Sequence, residues 1–469
     1  MLGLSMLVLL AGTDVTANVT GGVAVSSRES LESTDPALLA APLLAGQVDL
    51  SRRLAVGTIR GRLAQVVTLG FLTAGQLPGP GMANALQPQP VQLNDLASFV
   101  EFESAKLGGS GPSIALRLFP FQDNTRLVSF DWANAVTRVN APVVAVDVRS
   151  PSWFGWAAVR FPMRTALALN PALSARNLYP DVLGGLGWTG ERWRVEARAG
   201  RTQYGREFDR TLMALGPEQW GVLAAGQVVF RVGEELAPPL DLVTSSADPT
   251  RFERFFAPPP VPVGAVAFTA ALEGGAGTQF VSRFGQPAAE NRLIPAWVDL
   301  QLRLRVHQTR LFLTGRAQST AHLTFDLAGS GLLNPPEAGS YAFLAGFVGV
   351  DHVFHRLNLT PQVLLRVVQP GAVTGLLGIG TTNPRMPTSY VIGEVGEVTL
   401  QSSSIEVRPT LGGKVALRWN PVPALAVVAE VDVTIDLMRE VIIAEPGQLV
   451  PRSRSARGTR STLALQGRF

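Results

Sequence analysis

Between Trp297 and Gln318 apolar and polar residues take turns. Val298, Leu300, Leu302, Leu304 and Val306 alternate with Asp299, Gln301, Arg303, Arg305 and His307; after a short turn, Leu311, Leu313, Gly315 and Ala317 alternate with Phe312, Thr314, Arg316 and Gln318. A period of two puts successive side chains on opposite faces of an extended strand, so each strand carries one clean apolar face and one charged face. Such strands have two homes. Either the apolar face meets a protein core and the charged face bulk water, or the apolar face meets lipid and the charged face an enclosed, hydrated interior.

The pattern recurs. In 425–436, Val427, Ala429, Val431, Val433 and Ile435 alternate with Glu430, Asp432, Thr434 and Asp436. In 192–199, Trp193, Val195, Ala197 and Ala199 alternate with Arg192, Arg194, Glu196 and Arg198. Burying such charge combinations in a dry sandwich would require a paired geometry at each of them. Composition points the same way. The chain is 46% hydrophobic with a mean hydropathy of +0.21, yet its longest apolar runs, Met1–Gly12 and Ala37–Gly46, are too short for a membrane-spanning helix. A membrane barrel scatters its lipid-facing residues at every second position. The expected fold is all-β: a single transmembrane antiparallel β-barrel of about 18 strands, within a range of about 16 to 20.

Connection lengths agree. Short links at Asn420–Ala424, Val353–Arg356, His307–Thr309 and Gly274–Gly277 alternate with long ones at Leu437–Arg460, Gln369–Ile405, Thr320–Ser340 and Phe284–Pro295. That is the signature of a barrel with turns at one rim and loops at the other. The alternation falters before Gly274. There the Thr189–Glu191 turn falls on the wrong side unless a strand is missed between Gln203 and Pro262, with Pro239–Thr244 the place to look. Asn94–Gly109 could form a capped helix, but a strand around Phe99–Glu103 is the preferred reading. Trp188, Trp193, Trp297 and Trp419 stand at strand ends, where an aromatic girdle would lie.

The last nine residues, STLALQGRF, place Leu463, Leu465, Gly467 and Phe469 on one face and Thr462, Ala464, Gln466 and Arg468 on the other. This ending resembles the β-signal of Gram-negative outer-membrane proteins. The resemblance implies a location in the cell outer membrane, recognition by the barrel assembly machinery, and closure of the last strand on the first. Implied partners are outer-membrane lipid, lipopolysaccharide and periplasmic export components. The strand-and-loop order is also similar to barrels associated with exopolysaccharide export, although no motif carries that likeness. Residues 1–17 read as a signal peptide with a cleavage site at Val15–Ala17 but without a basic start, leaving 18–469 as the barrel.

Little chemistry is visible. The absence of cysteine removes disulfides, thiolate metal sites and thiol nucleophiles. Gly185–Gly190 has the glycine spacing of a dinucleotide loop but sits in a hairpin. Asp351–His355 offers a carboxylate and two histidines in what reads as a turn, so no metal is expected. With four histidines and no G-x-S-x-G, no triad can be named. Basic residues are nearly all arginine, without the aromatic interleaving of a nucleic-acid surface, so no nucleic-acid partner is expected.

What remains is an interior lined by Arg194, Glu196, Arg198, Asp299, Arg303, Arg305, Arg316, Arg418, Glu430 and Asp432, with an arginine excess that favours anions. An outer loop adds Arg452, Arg454, Arg457 and Arg460 as an anion contact. The expected function is a passive channel for hydrophilic, anionic solutes or an exported polysaccharide, without cofactor and not an enzyme. Its rivals are a non-conducting anchoring barrel of a larger assembly and an outer-membrane lipid hydrolase.

Overall fold

The computed structural model describes residues 13–26, 39–69, 91–95, 98–106, 111–120, 142–161, 163–166, 175–178, 180–209, 214–236, 265–280, 292–323, 342–375, 388–392, 398–402, 408–436, 440–445, 448–453 and 457–468. Eighteen antiparallel strands close into one barrel. They are β1 (Thr13–Ser26), β2 (Leu39–Leu54), β3 (Gly57–Leu69), β4 (Val91–Asp95 and Phe99–Ser104), β5 (Ser113–Phe119), β6 (Val143–Arg149), β7 (Trp153–Arg160), β8 (Asp181–Thr189) and β9 (Trp193–Asp209). The remainder are β10 (Ala214–Val232), β11 (Val266–Phe280), β12 (Arg292–Leu293 and Ala296–Val306), β13 (Thr309–Gln318), β14 (Phe343–His352), β15 (Leu359–Gln369), β16 (Thr410–Val422), β17 (Leu425–Asp436) and β18 (Arg457–Arg468).

Two strands come in two collinear pieces. In β12 the break falls at Pro295, which has no amide hydrogen to give the ladder. Each strand pairs with its chain neighbours, and the ring closes where β1 meets β18, from Asn18 opposite Arg468 to Ser26 opposite Arg460. Residues 13–17, inside the expected leader, are the first residues of β1. Three small sheets (Met163–Ala166 with Ala175–Leu178, Gly371–Gly375 with Thr388–Ile392 and Val398–Ser402, and Glu440–Glu445 with Gln448–Ser453) lie within the long connections. One helical turn, α1 (Thr320–Leu323), follows β13.

The alternation in the sequence becomes an outside and an inside. Along β12, Val298 and Leu300 are each 46% exposed, while their neighbours Asp299 and Gln301 are 0% and 2% exposed. The clean face continues around the ring through Leu116, Val146, Val182, Val195, Val228, Leu272, Leu313, Val348, Leu365, Val415 and Val431, all exposed. Among the described residues no second sheet packs on it. On a closed barrel of the outer-membrane type the outward apolar face is the lipid face, and an arginine placed there near the midplane would cost about 2–4 kcal/mol.

Aromatic rims bound this belt. Trp153, Trp188, Trp193 and Trp419 are exposed at the end that carries the short turns, and Trp193 packs on Phe230 with ring centroids 4.7 Å apart. At the other end Trp220 packs on Phe280 at 4.6 Å, with the Arg201 guanidinium 5.7 Å from the Trp220 ring.

Three expectations need correction. Gly274–Gly277 is not a turn; it lies inside β11. With that turn removed, the 190–192 link falls correctly on the short-turn end, and the described strands close the ring without a further one. The irregular member is instead the 233–265 connection, a long link leaving the short-turn end; Pro239–Thr244 falls outside the described residues. Trp297 is not a girdle residue: it points inward and is 4% exposed.

Candidate functional site

The inner faces of β2 to β6 carry an ion-pair network built by cross-strand register. Arg60 stands opposite Glu101, and Glu101 opposite Arg117. The Glu101 carboxylate accepts from Arg60 at 3.0 Å, from Arg117 Nε at 2.8 Å and from Arg149 at 3.4 Å. Arg60 also reaches Glu103 at 2.8 Å, Arg149 reaches Asp147 at 3.1 Å, and Arg62 donates to Asp49 at 2.7 Å. Aromatic rings lie among these cations. The Arg117 guanidinium is 5.3 Å from the Phe99 centroid and 5.7 Å from that of Phe119, and Arg62 is 5.6 Å from Phe99.

A drier cluster holds β7, β8 and β9 together. Arg160 Nε donates to Asp181 at 2.8 Å, and the other carboxylate oxygen accepts from Thr202 Oγ1 at 2.8 Å and from the Gln203 amide at 3.0 Å. Both charges are buried, so removing either partner would strand the other at a cost of about 3–5 kcal/mol.

From β9 to β13 one inner row runs Glu196, Gln227, Glu273, Asp299 and Arg316, each opposite the next. Arg198 pairs with Glu196 at 2.7 Å, Gln227 donates to Glu273 at 3.0 Å, and Arg316 reaches Asp299 at 3.3 Å. Further round, Arg366 clasps Asp432 with bonds of 2.9 and 2.6 Å. Lys414, Arg418 and Glu430 are buried on the same inner face.

Most of these pairs share one geometry. Arginine is the longer side chain, so the carboxylate sits against the wall and the guanidinium stands in front of it. Arg60, Arg117 and Arg149 are 44%, 29% and 37% exposed, over a Glu101 that is 2% exposed. Arg310 over Asp351 repeats the arrangement. A solute along the β3–β6 wall meets cations first.

Chain segments enter the interior at both ends. On the long-loop side α1 docks inside: Gln279 donates to the Ala321 carbonyl at 3.1 Å, and the His322 ring lies 6.0 Å from that of Trp297. With the Gln318 amide oxygen turned toward them, it accepts from His322 Nε2 at 3.2 Å and Arg316 Nε at 3.1 Å. Burial, aided by the Arg316 charge, pushes His322 down to about 3, so it is neutral at any ordinary pH.

At the short-turn end, Gly233 adopts a φ of 77° and turns the chain into the mouth. There Glu235 meets Arg194 at 2.8 Å and Arg231 at 3.4 Å, and Glu234 pairs with Arg305. The Leu236 amide donates to Thr269 Oγ1 at 2.9 Å, and its carbonyl accepts from Arg303 at 2.7 Å.

All ten residues expected to line the interior stand at inward positions, but they do not make one arginine surface. Arg194, Arg303 and Arg305 are engaged by residues 234–236, and Asp299, Arg316, Arg418 and Glu430 are buried. Arg457 and Arg460 belong to β18 rather than to a loop, and Arg452 to the strand Gln448–Ser453; their side chains and all of Arg454 lie outside the described residues. Leu463 and Leu465 face outward, and Gly467 pairs with Val19 and Leu425; Phe469 lies outside the described residues. Asp351 is clasped by Arg310 and His352 Nδ1 lies 2.8 Å from Thr309 Oγ1, so the Asp351–His355 residues do not converge on a metal.

Sequence reasoning did not single out Glu101 with its three arginines, the Arg160–Asp181 pair, or Glu234 and Glu235. Alternation within 99–104, 113–119 and 143–149 already put the first group inside; naming the partners requires the register.

No family model and no curated protein matches the sequence. Among solved structures, Acinetobacter baumannii OccAB4 aligns with a TM-score of 0.50 at 7% identity, over 97% of this chain and 98% of that one. The Pseudomonas aeruginosa outer membrane protein opdK gives 0.49 at 8% identity, over 97% and 99%. Pseudomonas aeruginosa OccK2 (OpdF) gives 0.48 at 11%, over 97% and 98%. At these identities the likeness concerns the fold: a closed barrel of the outer-membrane type. Nothing in these matches supports the resemblance to polysaccharide-export barrels.

Proposed function

We propose that this protein is a passive channel of the cell outer membrane for small hydrophilic anions. One observation carries the reading: along the β3–β6 wall the guanidiniums stand in the lumen and the carboxylates behind them. Formal charge there is nearly balanced, but a diffusing solute feels the nearer groups in a low-dielectric enclosure that focuses their field. The Phe99 and Phe119 rings, Phe119 buried, back the Arg117 guanidinium and help to hold it in place. Outer-membrane lipid and the barrel assembly machinery are its proposed partners, through the exposed belt and the β18 ending. No cofactor is called for.

The test is reversal potential in planar bilayers under a tenfold potassium chloride gradient. Wild type is expected to favour chloride, and the R60Q/R117Q/R149Q variant to lose that preference, because the Glu101 carboxylate is left facing the lumen. A triple variant with unchanged selectivity would refute the reading. A second reading, a non-conducting anchoring barrel, draws on the buried interior of β12 to β17, where Asp299 and Lys414 are 0% and 1% exposed. Silent bilayers would favour it.

A further inference from the structure

At the short-turn mouth the order of charges is reversed. Glu234 is 59% exposed over an Arg305 that is 10% exposed, so here the carboxylate is the outer group. Glu235 stands level with its partners, at 25% against 26% for Arg194 and 25% for Arg231. Neither acid belongs to the wall. Both ride on the segment that Gly233 turns inward, where a side chain would be disfavoured by the positive φ and would press on the Val266 carbonyl.

Residues 234–236 are held at several points. Two carboxylates meet three arginines, the Leu236 amide and carbonyl are both bonded, and the Leu236 side chain is buried. Leu236 lies level with Thr269 and Arg303, a little inside the ends of β11 and β12. The segment is a strap inside the mouth and not a turn hung outside it.

We propose that Glu234 and Glu235 act as a built-in anion that occupies the arginines of the short-turn mouth and limits anion passage there. This rests on the channel reading above. The wall draws anions toward the mouth, and at the mouth they meet Arg194, Arg231 and Arg305 already neutralised by the chain itself. An anion then leaves against an exposed carboxylate or displaces the strap from its arginines. Among the described ion pairs, Glu234 is the acid that stands furthest out over its arginine, so the field along the pore is asymmetric and current should depend on the sign of the voltage.

The experiment compares wild type with E234Q/E235Q in planar bilayers under a potassium chloride gradient, recording selectivity and the ratio of currents at opposite voltages. The amide variants keep the shape of the segment, and heat-modifiable migration on a gel verifies the closed barrel. The single E234Q variant, at the more exposed position, covers the case in which the double variant does not assemble. Relief is expected: chloride current rises severalfold, and the dependence on voltage sign weakens. A wild type that is silent and a variant that conducts would also support the strap. Equal selectivity and equal rectification in conducting wild type and variant would overturn it while leaving the channel reading intact. If both are silent, the channel reading and the strap fall together.

Discussion

His322 shows how far burial can move a charge in this barrel. It is held at about 3 against an ordinary value near 6.5, so the unfolded chain takes up a proton in this interval that the folded one does not. The associated stability is therefore complete above about pH 6.5 and is lost as pH falls from there toward 3. At pH 5 the loss is about 2 kcal/mol, from 1.5 units at about 1.36 kcal/mol each. Thermal unfolding of the detergent-solubilised protein should come earlier at pH 5 than at pH 7.5, and H322Q should remove that part of the difference; an unchanged pH response would refute the assignment. The neighbouring Trp297 marks what could be read at this scale. It shares parity with Asp299 and Gln301, so alternation alone puts it inside. Its strand-end position suggested the rim instead. Alternation is the stronger signal because it follows from backbone geometry, whereas a girdle is a tendency of composition.

Elements were legible where the period of two ran unbroken and obscure where glycine interrupted it. Gly274–Gly277 reads as a turn, yet β11 runs straight through it because the Trp297 indole lies over Gly275 and the Val222 carbonyl crowds Gly277. Glycine in a strand marks either a bend or a close approach, and only the cross-strand neighbour tells which. The glycines of Gly185–Gly190 have the same origin. The Trp156 ring occupies the space a side chain at Gly185 would need, and the Phe154 ring does so at Gly187. Gly187→Val should displace Phe154 and cost about 1–3 kcal/mol, as overpacking does. Gly184→Ala, on the lipid face and clear of side chains, should change stability by less than about 0.5 kcal/mol. Denaturant midpoints of the two variants in one detergent check this; equal effects would contradict it.

At the scale of the molecule, fold class and strand number were within reach of the sequence, because hairpins between chain neighbours make up the whole ring except the β1–β18 seam. The charge order inside was not. It depends on which arginine faces which acid and on side-chain length, and pattern alone supplies neither. Nor could pattern place the 234–236 strap, since parity counts turns and takes no account of where a long link goes. The rims have a mechanical consequence of their own. Phe230 and Trp220 stand ten residues apart on one outward face of β10, about 33 Å along a strand. At the tilt of about 40° usual in such barrels, the two rims are about 25 Å apart. Bilayers of short acyl chains should match that height without elastic deformation, and vesicle insertion should fall steadily as the chains lengthen. The barrel would then select its lipid by thickness, before any headgroup is recognised.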